Sequence, residues 1–243
     1  MKKRKLNIKG IFKILRLVFI ILILVSIIKV FLWTKDNRKN KSILKRIDNS
    51  VITNKDNKNI ILGVDFNKLK KENKNTIGYL KVKGTKINYP IVKYTDNDYY
   101  LNHSFDDSKN NAGWIFMNYK NKSDFSDQNI TIFGHARLDG SMFGTLKGVL
   151  EKEWQNDKSN KTITLITEKG NIRYKVFSTY KIKAEDYYIQ PNYTDYGNFL
   201  KIIKERSNYD YKVDLTNTRQ VLTLSTCDTN ENYRIVLHAR RMI

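Results

Sequence analysis

The feature that most constrains the fold is a series of short strand-like runs that begins near Ile77. The runs are rich in β-branched and aromatic residues, and turn residues such as Gly84 and Gly170 separate them. We place these runs at residues 77–83, 87–93, 114–118, 129–133, 162–167, 172–184, 220–227 and 233–240. Many short strands with few helices predict a mainly β fold that closes, or nearly closes, into a β-barrel.

Two local features modify this pattern. Pro90 lies inside the second run and has no backbone N–H, which predicts an edge position or a bulge there. A helix over residues 196–203 interrupts the strands, because apolar residues recur there at helical spacing. Thr194 or Asp195 is its predicted N-cap. The sequence therefore predicts a barrel with peripheral helices.

An apolar stretch near the N-terminus indicates a membrane segment. Residues 11–33 are mostly apolar, and their few charged residues lie toward the ends. This length matches the ~20 residues that a spanning helix needs. Lysines and an arginine precede the stretch, which favours a cytoplasmic N-terminus. A cleaved signal peptide would look similar, but no small-residue cleavage site follows, so we favour an uncleaved anchor.

These observations divide the chain into four parts. They are a basic cytoplasmic leader at 1–10, a transmembrane anchor at 11–33, a stalk with N-terminal helices at 34–75 and a β domain at 76–243. Within the stalk, the apolar residues between Ile43 and Ile52 fit a short amphipathic helix. Asp65 is the predicted N-cap of a second short helix over 66–72.

The formal net charge of +21 is distributed unevenly. Residues 1–46 contain 14 of the basic residues and one acidic residue, and the rest of the chain has an excess of only +8. A basic excess around a membrane segment attracts anionic lipid and fixes topology. The charge therefore points to a membrane surface and not to nucleic acid, and the remaining excess suits an acidic polymer such as a cell wall.

A single cysteine, Cys227, ends the seventh strand-like run. Alone it is either a buried apolar thiol or a working nucleophile. A thiolate that attacks a carbonyl needs a donor for the developing oxyanion and a group that protonates the leaving amine. Arg234, at the start of the last run, and His135, just after the fourth run, could supply these functions. His103 and His238 are competing histidines.

Other site chemistries have little support in the sequence. The three histidines and the cysteine show no paired-ligand spacing, so no metal site is expected. No glycine-rich phosphate-binding loop is present, and we expect no cofactor.

The motif Thr223-Leu224-Ser225-Thr226-Cys227 resembles the TLxTC signature of sortases. His135 and Arg234 match the histidine and arginine of that family's catalytic set, and segments 87–92, 99–103, 113–117 and 139–144 are also similar. The TLSTC form of the motif, the N-terminal helical extension and the helix before the cysteine strand resemble class B sortases in particular. The resemblance implies an eight-stranded sortase barrel, preceded by N-terminal helices and a membrane anchor, on the outer face of a Gram-positive cell membrane.

The same resemblance implies cysteine transpeptidation. Cys227 would attack the threonine carbonyl of a C-terminal sorting motif of the NPxTx kind, and Arg234 would stabilise the oxyanion. His135 would protonate the leaving amine and then deprotonate the incoming amine of peptidoglycan or its lipid-linked precursor. The partners would be surface proteins that carry such a sorting signal. Substrate contacts carried over from class B are Asn97, Leu101, Ala184, Tyr188, Ile189, Ser225 and Thr226.

Two other classes of protein stay open at this point. One is another cell-wall thiol enzyme, such as a peptidase or an L,D-transpeptidase. The order of His135 before Cys227 disfavours the peptidase, and the absence of a Ser-His-Gly-Cys run disfavours the transpeptidase. The other is a non-catalytic surface binding module, in which Cys227 would be buried.

Overall fold

The N-terminal part of the chain is one long helix. In the computed structural model, which describes residues 8–53, 61–227 and 232–242, α1 runs unbroken over Ile8–Asp48. The amphipathic stalk segment is thus not a separate helix, because neither glycine nor proline occurs between Trp33 and Asp48 to end the first one. The apolar side chains from Ile11 to Trp33 are largely exposed. By length and composition this part of α1 could cross a membrane, although a signal sequence would meet the same criteria.

The C-terminal turns of α1 pack against the rest of the protein. Ile43 and Ile47 are buried in the hydrophobic core. Asn40 is also buried, and its Oδ1 accepts hydrogen bonds from Ser104 Oγ at 2.6 Å and Asn110 Nδ2 at 3.0 Å. Because buried amides are costly to leave unpaired, this network fixes α1 on the barrel.

Short elements connect α1 to the barrel. Strands β1 (Val51–Thr53) and β2 (Ile61–Val64) pair as a hairpin that the sequence did not predict. Helix α2 spans Phe66–Glu72, and Asp65 caps it as predicted, since the Asp65 carboxylate accepts from Lys68 N at 3.1 Å.

Eight strands then close the predicted barrel. They are β3 (Thr76–Val82), β4 (Asn88–Lys93), β5 (Phe116–Met117), β6 (Asn129–Gly134), β7 (Thr162–Thr167), β8 (Gly170–Lys183), β9 (Val221–Cys227) and β10 (Tyr233–Arg241). Their order around the barrel is β10-β8-β7-β3-β4-β5-β6-β9. The β4–β5 and β6–β9 pairs are parallel and the others antiparallel. Closure gives each barrel strand a paired neighbour on both sides.

The barrel explains why Pro90 is tolerated in β4. On one side Pro90 faces Tyr79 of β3, but on the other side β5 pairs only with Val92 and Lys93. The missing N–H of Pro90 therefore lies where β4 has an open edge, as predicted. Trp114, just before β5, fills this gap and donates its indole N–H to the Pro90 carbonyl at 3.0 Å.

Two further helices lie outside the barrel strands. Helix α3 (Lys152–Asn156) is short, and α4 (Tyr196–Glu205) is the helix predicted before the cysteine strand. Asp195 is its N-cap, because its carboxylate accepts from Asn198 N at 2.9 Å. Phe199 and Ile203 bury the apolar face of α4 in the core.

Candidate active site

Three neighbouring strands carry the candidate catalytic residues to the same end of the barrel. In the parallel β6–β9 pair Gly134 is opposite Thr226, so His135 comes next to Cys227 along the backbone. In the antiparallel β9–β10 pair Cys227 is directly opposite Arg234. Since paired strands lie about 4.8 Å apart, the backbones of His135 and Arg234 flank that of Cys227 at roughly one strand spacing each. The Cys227 side chain and residues 228–231 lie outside the described part of the chain.

The His135 ring is held in one orientation. Its Nε2 lies 2.9 Å from the backbone oxygen of Leu101, a group that can only accept a hydrogen bond. Nε2 therefore carries the hydrogen, and Nδ1 is the nitrogen that can take up or release a proton. Partial burial lowers the pKa of His135 below its ordinary value of 6.5; the Leu101 carbonyl offsets part of this effect, and the Arg137 charge adds to it. His135 is thus mainly neutral at pH 7.

A glycine makes the close packing around His135 possible. Gly113 has φ +61°, a left-handed conformation that side chains disfavour. A Cβ at this position would lie 2.6 Å from the Tyr100 oxygen and 2.9 Å from His135 Cδ2. The loop before β5 can therefore pass beside the imidazole only because residue 113 has no side chain.

Arg234 lies in an interior strand and is partly buried. It is paired with Cys227 on one side and with Ile182 of β8 on the other. Its Nη1 donates to the backbone oxygen of Tyr233 at 3.0 Å, which helps to orient the guanidinium. Arg234 is therefore held in the middle of the sheet beside Cys227 and not at an edge.

The competing histidine His238 has a structural environment. It is fully buried, with Nε2 2.8 Å from the Tyr180 hydroxyl and Nδ1 2.8 Å from Thr223 Oγ1. Thr223 donates its own hydrogen to Asn129 Oδ1, so Nδ1 of His238 must be the ring donor and Nε2 the acceptor. Desolvation, with a smaller contribution from the Arg206 charge, lowers the pKa of His238 to about 3. Both ring nitrogens are thus occupied within the core.

His103 lies on the segment between β4 and β5 and has contacts of its own. Its ring stacks on Tyr99 at 4.0 Å between centroids, and Nδ1 lies 2.8 Å from the Tyr99 oxygen. Of the three histidines, His135 is the one that directly follows a strand adjacent to the cysteine strand.

Three of the seven predicted substrate residues are buried behind the site. Ser225 and Thr226 lie in β9, and the Tyr188 hydroxyl is 3.0 Å from Ser225 Oγ. Thr226 Oγ1 donates to the Gly134 oxygen at 2.7 Å. The three side chains are buried, and their hydrogen bonds stabilise the strand that carries Cys227.

The other four residues are more accessible. Asn97 and Leu101 lie on the segment between β4 and β5, and Ile189 lies in the 3₁₀ turn after β8. All three are partly buried, whereas Ala184 is exposed at the end of β8. The Ala184 N–H donates to the oxygen of Asn232, just before β10, at 2.8 Å. Asn97 and Leu101 therefore belong to one segment near His135, and Ala184 and Ile189 to another.

Sequence reasoning missed two residues of this region. The positive charge of Arg137 lowers the pKa of His135. The Arg137 guanidinium lies 5.8 Å from the centre of the Trp33 ring of α1. Asn118, which follows β5, is buried and hydrogen-bonded to both Asn97 and Ile189. The position of Asn118 at the end of a strand-like run could have drawn attention to it. Its hydrogen-bond partners could not be predicted, because they are distant in sequence.

Comparison with known proteins identifies relatives of this chain. The sortase domain family model matches residues 80–242. Sortase B of Listeria monocytogenes is 35% identical over 205 residues, 82% of each chain. Sortase B from Bacillus anthracis, solved in complex with AAEK1, superposes with a TM-score of 0.74 at 30% identity, covering 86% of this chain and 99% of that one. The Staphylococcus aureus sortase B–substrate complex gives a TM-score of 0.67 at 28% identity, covering 86% and 94%.

Proposed function

Because this chain belongs to the sortase family and to its class B, and is therefore a cysteine transpeptidase, we propose that it joins surface proteins to peptidoglycan. It cleaves a C-terminal sorting motif of the NPxTx kind after the threonine. It then transfers the acyl group to an amine of peptidoglycan or its lipid-linked precursor. The observation that supports this proposal is the strand register, in which Arg234 is opposite Cys227 and Gly134, the residue before His135, is opposite Thr226.

In the first half-reaction the Cys227 thiolate attacks the threonine carbonyl carbon. The carbonyl oxygen becomes negative, and the Arg234 guanidinium stabilises it. His135 Nδ1 takes the proton of the Cys227 thiol as the thiolate forms and gives it to the departing amine when the carbon–nitrogen bond breaks, and the acyl group remains on Cys227 as a thioester.

In the second half-reaction an amine attacks the thioester. Neutral His135 takes the proton of that amine, the carbon–sulfur bond breaks, and Cys227 leaves as a thiolate to which His135 returns the proton. The lowered pKa of His135 favours the base form that this step requires. The hydrogen bond to Leu101 keeps Nδ1 as the working nitrogen in both half-reactions.

The proposed substrate site lies between two segments. Asn97 and Leu101 form one wall, and Ala184 and Ile189 lie on the other. Ser225 and Thr226 lie in the cysteine strand itself, and buried Tyr188 contacts Ser225. A related S. aureus sortase B has been solved as a substrate complex. A substrate bound between these walls would reach the end of β9, where Cys227 is located.

The apolar part of α1 is the proposed membrane anchor. Its exposed apolar surface and the basic residues before it support a single span with a cytoplasmic N-terminus and an extracellular catalytic domain. Alkaline phosphatase fused after Asp48 should be active in cells, and the intact chain should fractionate with membranes. An inactive fusion would contradict this topology, and release of a shortened chain would favour a cleaved signal.

The test of the reaction uses the detergent-solubilised protein with a fluorogenic NPQTN-type peptide and an added amine. Wild type should cleave the peptide and form a thioester that mass spectrometry locates on Cys227. C227A should lose cleavage, and H135Q and R234A should each slow it by at least about a hundredfold. Cleavage that persists in C227A would refute the proposal. Release of stem-peptide fragments from peptidoglycan, with no action on sorting peptides, would favour another wall enzyme.

A further inference from the structure

A buried asparagine joins the two segments between which the substrate is proposed to bind. Asn118 is 1% exposed and lies just after β5. Its Nδ2 donates to the Ile189 oxygen at 2.9 Å, and its Oδ1 accepts from Asn97 Nδ2 at 3.2 Å. One side chain thus connects a residue of each wall.

The direction of these hydrogen bonds is fixed by backbone groups at both ends. The Ile189 oxygen can only accept, and the Lys120 N–H, 3.2 Å from Asn118 Oδ1, can only donate, so the Asn118 amide has one orientation. Asn97 is fixed in the same way, because its Oδ1 accepts from the Tyr119 N–H at 3.0 Å. A reversed amide at either position would place like groups against each other.

The segment around Ile189 has separate ties to the barrel. Asn129 Nδ2 donates to the oxygens of Tyr188 at 2.9 Å and Gln190 at 3.0 Å. These bonds hold the carbonyls on either side of Ile189 to β6, and Asn118 holds the carbonyl between them. Asn129 therefore attaches this wall to the barrel, and Asn118 links it to the opposite wall.

We propose that Asn118 is a positioning residue that sets the separation of the two walls and thereby determines affinity for the sorting peptide. The inference rests on the proposed function, since it assumes that Asn97 and Ile189 contact the substrate. If the two walls already have the geometry that binds the peptide, no conformational entropy is lost in ordering them when the peptide binds. Releasing them weakens binding without removing a group that reacts.

Asn118 is expected to affect binding and not the chemical step. Its backbone N–H donates to Thr131 of β6 at 2.9 Å, but its described side-chain contacts involve neither His135 nor Arg234. Replacing the side chain leaves that backbone hydrogen bond in place. The expected result is a higher KM with little change in kcat.

The experiment compares N118A and N118D with wild type in the peptide-cleavage assay. N118A removes both links, and we expect KM to rise about tenfold with kcat within about twofold. N118D can still accept from Asn97 but places a carboxylate oxygen against the Ile189 carbonyl, so KM should rise as well. Peptide affinity measured by fluorescence anisotropy in a C227A background should fall by a similar factor for both variants.

Q155A is the matched control. Gln155 is also a buried amide, and it donates to the Val149 oxygen at 3.1 Å, but it lies on α3, away from both walls. Its loss should lower stability and leave KM unchanged. An equal rise of KM in Q155A, or an unchanged KM in folded N118A, would overturn the inference. Should N118A fail to fold, the KM of N118D decides.

Failure of the proposed function gives a different result. If wild type neither binds nor cleaves sorting peptides, the substrate assignment itself is wrong. If wild type cleaves them and N118A shows a lower kcat at unchanged KM, the positioning role of Asn118 is wrong while the function stands.

Discussion

The buried histidine His238 makes the stability of this protein sensitive to mild acid. In the folded state its pKa is about 3, compared with an ordinary value of 6.5. Below pH 6.5 the unfolded chain therefore binds a proton at this position that the folded chain does not. The contribution of neutral His238 to the free energy of unfolding is therefore fully present above pH 6.5, and it is lost as the pH falls from 6.5 toward about 3.

The magnitude follows from linkage. Each unit of pKa difference corresponds to about 1.4 kcal/mol, so His238 alone lowers the free energy of unfolding by about 2 kcal/mol between pH 7.5 and pH 5. The structure shows why the folded state resists protonation. A second ring proton would meet the Tyr180 hydroxyl, which already hydrogen-bonds to the Arg206 cation. Accepting that proton requires the hydroxyl to reorient next to a positive charge.

The assay is urea unfolding of the detergent-solubilised protein, followed by intrinsic fluorescence at several pH values. H238Q has no titrating group, so its stability should fall between pH 7.5 and pH 5 by about 2 kcal/mol less than that of wild type. Because the change of the free energy of unfolding with pH is compared between the two proteins, any pH-independent destabilisation by the substitution cancels. The contribution of the carboxylates, which both proteins share, cancels as well. Parallel pH dependences of the two proteins would refute the reasoning. H238Q should also keep peptide cleavage at pH 7.5.

Three further predictions concern the surroundings of His135 and the docking of α1. G113A should lower kcat about tenfold, because the new Cβ strains a left-handed residue and displaces the His135 ring; steady-state kinetics at unchanged fold, checked by circular dichroism, test this. N40A should lower the free energy of unfolding by about 2 kcal/mol, since buried Ser104 and Asn110 lose a hydrogen-bond partner. Urea unfolding measures this, with K41A at the exposed neighbouring position as the control. Equal losses in the two variants would contradict the prediction. R137Q should shift the His135-dependent limb of the pH–rate profile to higher pH, because a nearby positive charge that lowers the pKa of His135 is removed; an unmoved limb would contradict it.

Local interactions explain what the sequence could predict about the fold. The strand-like runs correspond to the barrel strands within a few residues, because alternating β-branched and aromatic side chains favour extended backbone wherever the chain lies. Asp65 could be identified as a cap, and Asp195 as one of two candidates with Thr194, since a capping carboxylate bonds to a backbone N–H only three residues away. Membership of the sortase family was predicted from the TLSTC motif, which is continuous in sequence, and the comparisons confirm it.

Non-local contacts decided the rest. The parallel pairing of β6 with β9 joins segments about 90 residues apart, and no periodicity within either strand fixes that register. The hydrogen bond from His135 to Leu101, the place of Gly113 beside the imidazole and the docking of Asn40 on the barrel likewise depend on loops that meet only after folding.

The sequence by itself determined which residue types were available for thiol chemistry and which local structures would carry them. Only the tertiary structure decided that His135 follows a strand that ends beside Cys227, that His238 is held neutral in the core, and that Asn118 links the two walls. The physical reason is that pKa values and hydrogen-bond partners depend on burial and on neighbours in space. Both arise from closure of the barrel and not from any segment of the chain alone.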